Sequence, residues 1–204
     1  MNPALGAAVS TVLWGAGAVA FLVSTVWLSV VDLATQRLPN RLVLGTTVVT
    51  LGLLAAAELV MLPTLLAAGR SGGLRAWQGL LMLALGALLL LGLFALLWRV
   101  APGGIGGGDV KIAPLIGGTL GLMGGLWAVL GAVLIAALCA AIWSAMRGAA
   151  LRRRRSTRAA EAPGTAPSDA PPAPAEPVGI PFAPCLFAGA WIAIAIGPLA
   201  ARLF

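Results

Sequence analysis

Apolar runs of about twenty residues recur along this chain, each long enough to cross a bilayer as a helix. Their recurrence limits the fold more than any other feature does. Hydrophobic residues make up 60% of the chain and charged ones 9%, far from soluble-domain composition. The sequence therefore predicts an all-α integral membrane protein, one bundle of about six transmembrane helices over residues 1–204 with no separate soluble domain. The lipid bilayer is its expected surrounding. The net charge of +7 is not a nucleic-acid footprint, because Arg152 to Arg155 and Arg158 supply much of it directly after an apolar run. Basic residues there fix membrane orientation.

The first span is read as Val9 to Val31, too long for a signal-peptide core and without a basic start. Pro39 cannot donate a backbone hydrogen bond and biases Leu38 away from helix, so a turn is expected before the next helix. The second span is placed at Arg41 to Met61, with Glu58 as a solvated interfacial carboxylate. A loop with Pro63, Gly69, Arg70, Gly72, Gly73 and Arg75 is expected next. The third span, Trp77 to Trp98, carries Gly79, Ala84, Gly86 and Gly92, small residues suited to close helix packing.

The run from Ile112 to Met146 is 35 residues, too long for one crossing. Gly121 to Gly125 offers a break. A hairpin there, with the first span starting outside, puts ten basic residues on the inner side and three on the outer. A single span reverses the bias. Positive charge collects on the cytoplasmic face, which favours the hairpin and leaves a first arm of about 13 residues, roughly 20 Å. A disordered Pro/Ala-rich cytoplasmic linker is expected at about 159–179, followed by a last span over Phe182 to Phe204.

Two carboxylates stand out. Asp32 ends the first apolar run, and Asp109 follows the glycine-rich stretch Gly103 to Gly108. A carboxylate at bilayer depth costs about 2.5–3.5 kcal/mol on insertion scales, so it is a functional candidate by default. Asp109 has a plainer role open to it as a helix cap, and Asp32 as a solvated residue just past a helix end. Six crossings place both at the cytoplasmic face. Two carboxylates about 3 Å apart share one proton, so one takes a proton from water while the other polarises a scissile carbonyl. The chain has no histidine and no GxSxG, which removes Ser–His and Cys–His nucleophiles. Cys139 and Cys185 have no second cysteine near them in sequence and are expected as buried structural thiols. With no CxxC pair either, a metal site has little to be built from, and neither metal nor cofactor is expected.

Asp32 followed by Leu38-Pro39-Asn40 resembles the D-x(5)-[IL]-P-[ND] segment of type IV prepilin peptidases. Gly106-Gly107-Gly108-Asp109-Val110-Lys111 resembles the GxGDxK segment of that family, and Ile180-Pro181-Phe182-Ala183-Pro184 its IPFGP segment, with Ala183 in the glycine position. The resemblance implies a GxGD membrane aspartic endopeptidase, catalytic at Asp32 and Asp109, with Gly106, Gly108, Lys111, Pro39 and Asn40 shaping the site or binding substrate. It implies a prepilin or pseudopilin substrate, cleavage after a glycine of its basic leader, residence in the bacterial inner membrane with the site facing the cytoplasm, and association with pilus or secretion machinery. Eight residues before the first span and the missing CxxC point to a peptidase-only form without N-methyltransferase activity. Two other classes remain open: an ion- or proton-coupled transporter subunit, and a non-catalytic secretion-system scaffold. Arg37, Arg41 and Lys111 beside the aspartates are read as positive-inside anchors.

Overall fold

The computed structural model describes residues 3–35, 38–67, 70–100, 106–161 and 182–200. Five helices follow in order: α1 Pro3–Thr35, α2 Asn40–Ala67, α3 Arg70–Val100, α4 Gly107–Glu161 and α5 Phe182–Ala200. No strand occurs among the described residues. Four helices are long and apolar enough to cross a membrane, and the shorter apolar stretch Ala183–Ile196 lies in α5. Counted as helices, the expected six are thus corrected to four or five. No stretch of non-helical residues separates the two halves of α4, and the described part of the last helix is short.

α4 is nonetheless broken at Gly125, where φ is 66° and ψ is −169°. L-residues with a side chain rarely adopt such a conformation, and glycine does so without a Cβ penalty. The contacts show what the break does. Ala183, at the start of α5, donates its backbone N–H to Asp32 near the end of α1, and Asp32 acts electrostatically on Asp109 at the start of α4. These three helix ends therefore share one end of the bundle. Gly189, about 9 Å further along α5, packs on the backbone of Ala132 and Ala136. On an unbroken helix Ala132 would lie about 35 Å from Asp109. The chain instead turns back at Gly125. The first arm runs from Gly107 to Gly124, about 27 Å, longer than expected because Gly107 to Lys111 are already helical.

Other boundaries shift outward too. Pro63 lies inside α2, and α3 begins at Arg70, so the expected loop there is largely helix. Along α4 the helix continues through Glu161, taking the first residues of the expected linker; the remainder of it, 162–179, lies outside the described residues. The apolar span of α4 ends at Ile142, and the helix carries on past it into the arginine-rich stretch.

The core gathers Phe21 and Leu28 of α1, Leu90 and Phe94 of α3, Ile112 to Leu120 of α4, and Leu186 and Phe187 of α5. Large apolar side chains such as Val12, Val26, Leu88 and Leu134 are exposed on the outside, as a lipid-facing bundle requires. Where α3 meets α4 the backbones nearly touch: a Cβ on Gly86 would run into Gly117 and Gly121. Of the other small residues expected at an interface, Gly79 faces Glu58, whereas Gly92 has open space around it and Ala84 is exposed. Several hydroxyls are satisfied locally or across helices, whereas Thr50 Oγ1 is buried without a hydrogen-bond partner among the described residues. Thr46, Thr47 and Thr119 donate to carbonyls one turn back, while Ser10 Oγ donates to the Ala57 carbonyl at 3.0 Å. Further along the same buried side of α1, Trp191 Nε1 donates to Thr25 Oγ1 at 3.2 Å, and its ring lies 5.4 Å from that of Phe21.

Candidate active site

Asp32 sits within α1, three residues before its end, and is 9% exposed; Asp109 sits in the first turn of α4 and is 7% exposed. Asp32 is buried within α1, so the plainer reading of it as a solvated residue past a helix end does not hold. The helical period explains the burial, because Phe21, Ser24, Thr25, Leu28 and Asp32 recur on one buried stripe of α1. Asp32 is the stripe's last member, at the level where α4 and α5 begin.

Each carboxylate is held by a backbone donor. The first N–H groups of a helix have no partner within it, and the Ala183 N–H at the start of α5 goes to Asp32. At α4, the Asp109 N–H donates to the Gly106 carbonyl at 3.0 Å, and the Gly106 N–H donates back to the Asp109 carboxylate. The return bond is the carboxylate half of a capping box, with Gly106 at the cap position and Asp109 three residues on; glycine has no side chain to supply the other half. Asp109 thus serves as a cap and still lies within electrostatic reach of Asp32. The two roles do not compete, since a carboxylate accepts several hydrogen bonds.

The remaining expected site residues surround this pair. Gly108 lies against Leu38, whose Cδ1 is 3.2 Å from where a Cβ would stand. Leu38 is buried, and Pro39, exposed, accepts from the Leu42 and Val43 amides at 3.1 and 3.2 Å, which starts α2. Lys111 and Asn40 are exposed and joined to each other, Nζ to Oδ1, at 2.6 Å. Lys111 is therefore engaged in a specific contact beyond positive-inside anchoring. Arg37, Ile180 and Pro181 lie outside the described residues.

Sequence reasoning did not find the role of the Ala183 amide or of Leu38. The signal for the first was a proline-bounded helix start, which leaves free N–H groups. Among the described residues no group of three or more His, Cys, Asp and Glu is placed to hold a metal ion.

The fold and site define a multi-pass helical membrane protein with two buried aspartates within electrostatic reach of each other at one end of the bundle. Residues 19–145, more than half of the chain, match the type IV leader peptidase family, and the chain belongs to that family. Both aspartates lie within the matched region; Ala183 lies beyond it. No curated protein and no solved structure matches the chain.

Proposed function

We propose that this leader peptidase is an aspartic endopeptidase, and that Asp32 and Asp109 together cleave the basic leader from prepilins or pseudopilins at the cytoplasmic face of the bacterial inner membrane. The observation that carries this is the meeting of two buried carboxylates from separate helices inside the family-matched region. One ionised carboxylate takes a proton from a water molecule, whose oxygen adds to the scissile carbonyl carbon. The other, protonated, donates a hydrogen bond to the carbonyl oxygen as charge develops there. Collapse of the tetrahedral intermediate breaks the C–N bond, and the departing amine takes up a proton from the pair.

The surroundings favour this chemistry. Ala183 and Gly106 fix the two carboxylates with backbone donors, so neither needs a flexible side-chain partner to keep its place. The ten-to-three division of basic residues supports an orientation with this end inside. The reading extends to a form that cleaves without methylating the new terminus, since both cysteines of the chain lie in bundle helices rather than in a paired-cysteine module. The family match favours a peptidase over the transporter and scaffold alternatives.

Reconstitution tests the proposal. The full chain in liposomes, mixed with a full-length prepilin carrying a basic leader, a glycine and an apolar helix, should yield a product whose mass begins after that glycine and carries no methyl group. Folded protein that leaves a panel of such substrates intact would sink it.

A further inference from the structure

The two cysteines, far apart in sequence, converge where α4 and α5 pack. Beyond Gly125, the residues Val129, Ala132 and Ala136 form the buried stripe of α4, and Cys139 continues it three residues later. On α5, Cys185 stands one turn before Gly189, on the same face. Gly189 itself is pressed onto Ala132 and Ala136: a Cβ there would come within 2.5 Å of the Ala132 carbonyl oxygen. The two helices therefore touch backbone to backbone at this level. They run antiparallel, because α5 leaves the aspartate end and the second arm of α4 returns to it. Cys139 is about 5 Å beyond Ala136 and Cys185 about 6 Å before Gly189, both toward the aspartates. The thiols thus share a level and a face. Each lies within electrostatic reach of the other, and both are half-buried and unbonded. The expectation of two unrelated buried thiols is replaced by a pair.

We propose that Cys139 and Cys185 are a redox-responsive pair that closes to a disulfide across the α4–α5 contact and restrains the turn of α5 that holds Asp32. Helices this close can bring two cysteine Cα atoms into the span of roughly 4.4–6.8 Å that a disulfide requires. Two S–H bonds are lost and one S–S bond forms. The two protons and two electrons pass to the oxidant, a diazene or a fully substituted quinone, which becomes a hydrazine or hydroquinone. Cys185 is two residues from Ala183, whose N–H holds Asp32, so the bond pulls on the first turn of α5. The redox chemistry stands on geometry alone; its effect on cleavage rests on the proposed peptidase function.

Full-length protein in membranes is treated with the diazene diamide, denatured and labelled with a polymer-bearing maleimide. The reduced protein should show two additions on a gel. After diamide it should show none, with a Cys139–Cys185 cross-linked peptide by mass spectrometry, and dithiothreitol should restore both additions. Cys139→Ser and Cys185→Ser should each keep one reactive thiol. Retention of both thiols after diamide, or a disulfide between two copies of the chain, overturns the pairing. Prepilin cleavage should fall with oxidation and recover on reduction, and the double serine variant should be indifferent to both. A disulfide that forms without changing cleavage overturns the restraint on Asp32. Absence of cleavage even in the reduced state strikes the peptidase reading, while the mapped disulfide stands.

Discussion

Lys111, two residues after Asp109, reaches across from the first turn of α4 to the first residue of α2, donating from Nζ to Asn40 Oδ1 at 2.6 Å. Together with Leu38 lying over Gly108, this contact ties the α1–α2 connection to the turn that carries Asp109. Asp109 stands in that turn, and Asp32 lies in α1 just before the connection. Lys111→Ala and Asn40→Ala should each slow cleavage by about 2- to 10-fold, the equivalent of one net hydrogen bond. Because both remove the same contact, the double variant should be no slower than the worse single one. Steady-state kinetics in liposomes checks this, and additive losses would mean that the two residues act separately.

Packing between α3 and α4 should be unforgiving. Gly86 and Gly117 abut so closely that a Cβ on either meets the carbonyl of the other, and Gly121 is pressed against the Met82 carbonyl. Backbone cannot step aside as a side-chain tip can. Gly117→Val and Gly121→Val should reduce accumulation and detergent stability, at or beyond the roughly 1–3 kcal/mol typical of overpacking. Gly92→Ala, with open space around it, should accumulate normally. Thermal unfolding in detergent with a thiol-reactive dye, alongside immunoblots, separates these outcomes.

The direction of the bundle is open to labelling. Trp127, just past the Gly125 break, is 84% exposed at the end away from the aspartates, and Arg99 is exposed near the end of α3 at the aspartate end. In a background with Cys139 and Cys185 replaced by alanine, Trp127→Cys should react with an impermeant maleimide added to intact cells. Arg99→Cys should react only after lysis. The reverse pattern would place the aspartates outside and contradict cleavage on the cytoplasmic face.

Much of this site is written in local sequence. Asp32 and Asp109 are conspicuous because carboxylates are costly in apolar runs. The Gly125 break is foreshadowed by an apolar run too long for one crossing and by the basic residues after it. Helix ends were less legible. Pro63 and the Gly72–Gly73 pair read as loop in water, yet Pro63 lies inside α2 and the glycines inside α3. At Pro63, set among Leu59, Met61 and Leu65, apolar surroundings remove the alternative partners that would let the backbone unwind. Contacts between distant segments were not legible at all. Nothing local to Ala183 says that its amide meets Asp32, and nothing local to Cys139 says that Cys185 lies across from it. Glu58 was expected in solvent, but it is half-buried and accepts from Trp14 Nε1 at 3.3 Å, because α1 and α2 pack along the same stripe that seats Ser10.

The most direct test is cleavage of full-length prepilin by Asp32→Asn, Asp109→Asn and the double variant, each reconstituted at equal amounts. Asparagine is close in size, and its carbonyl still accepts the hydrogen bond that Ala183 or Gly106 donates, so folding should persist. What it cannot do is hold and pass a proton. Each single variant should lose at least about 100-fold in rate, since general acid–base catalysis alone contributes about 10²–10⁴-fold. The double variant should be little worse than either, as residues acting as one unit fail together. Glu58→Gln should cleave at the wild-type rate, because its amide oxygen still accepts from Trp14. Cleavage near the wild-type rate by either single aspartate variant would contradict the shared role of Asp32 and Asp109.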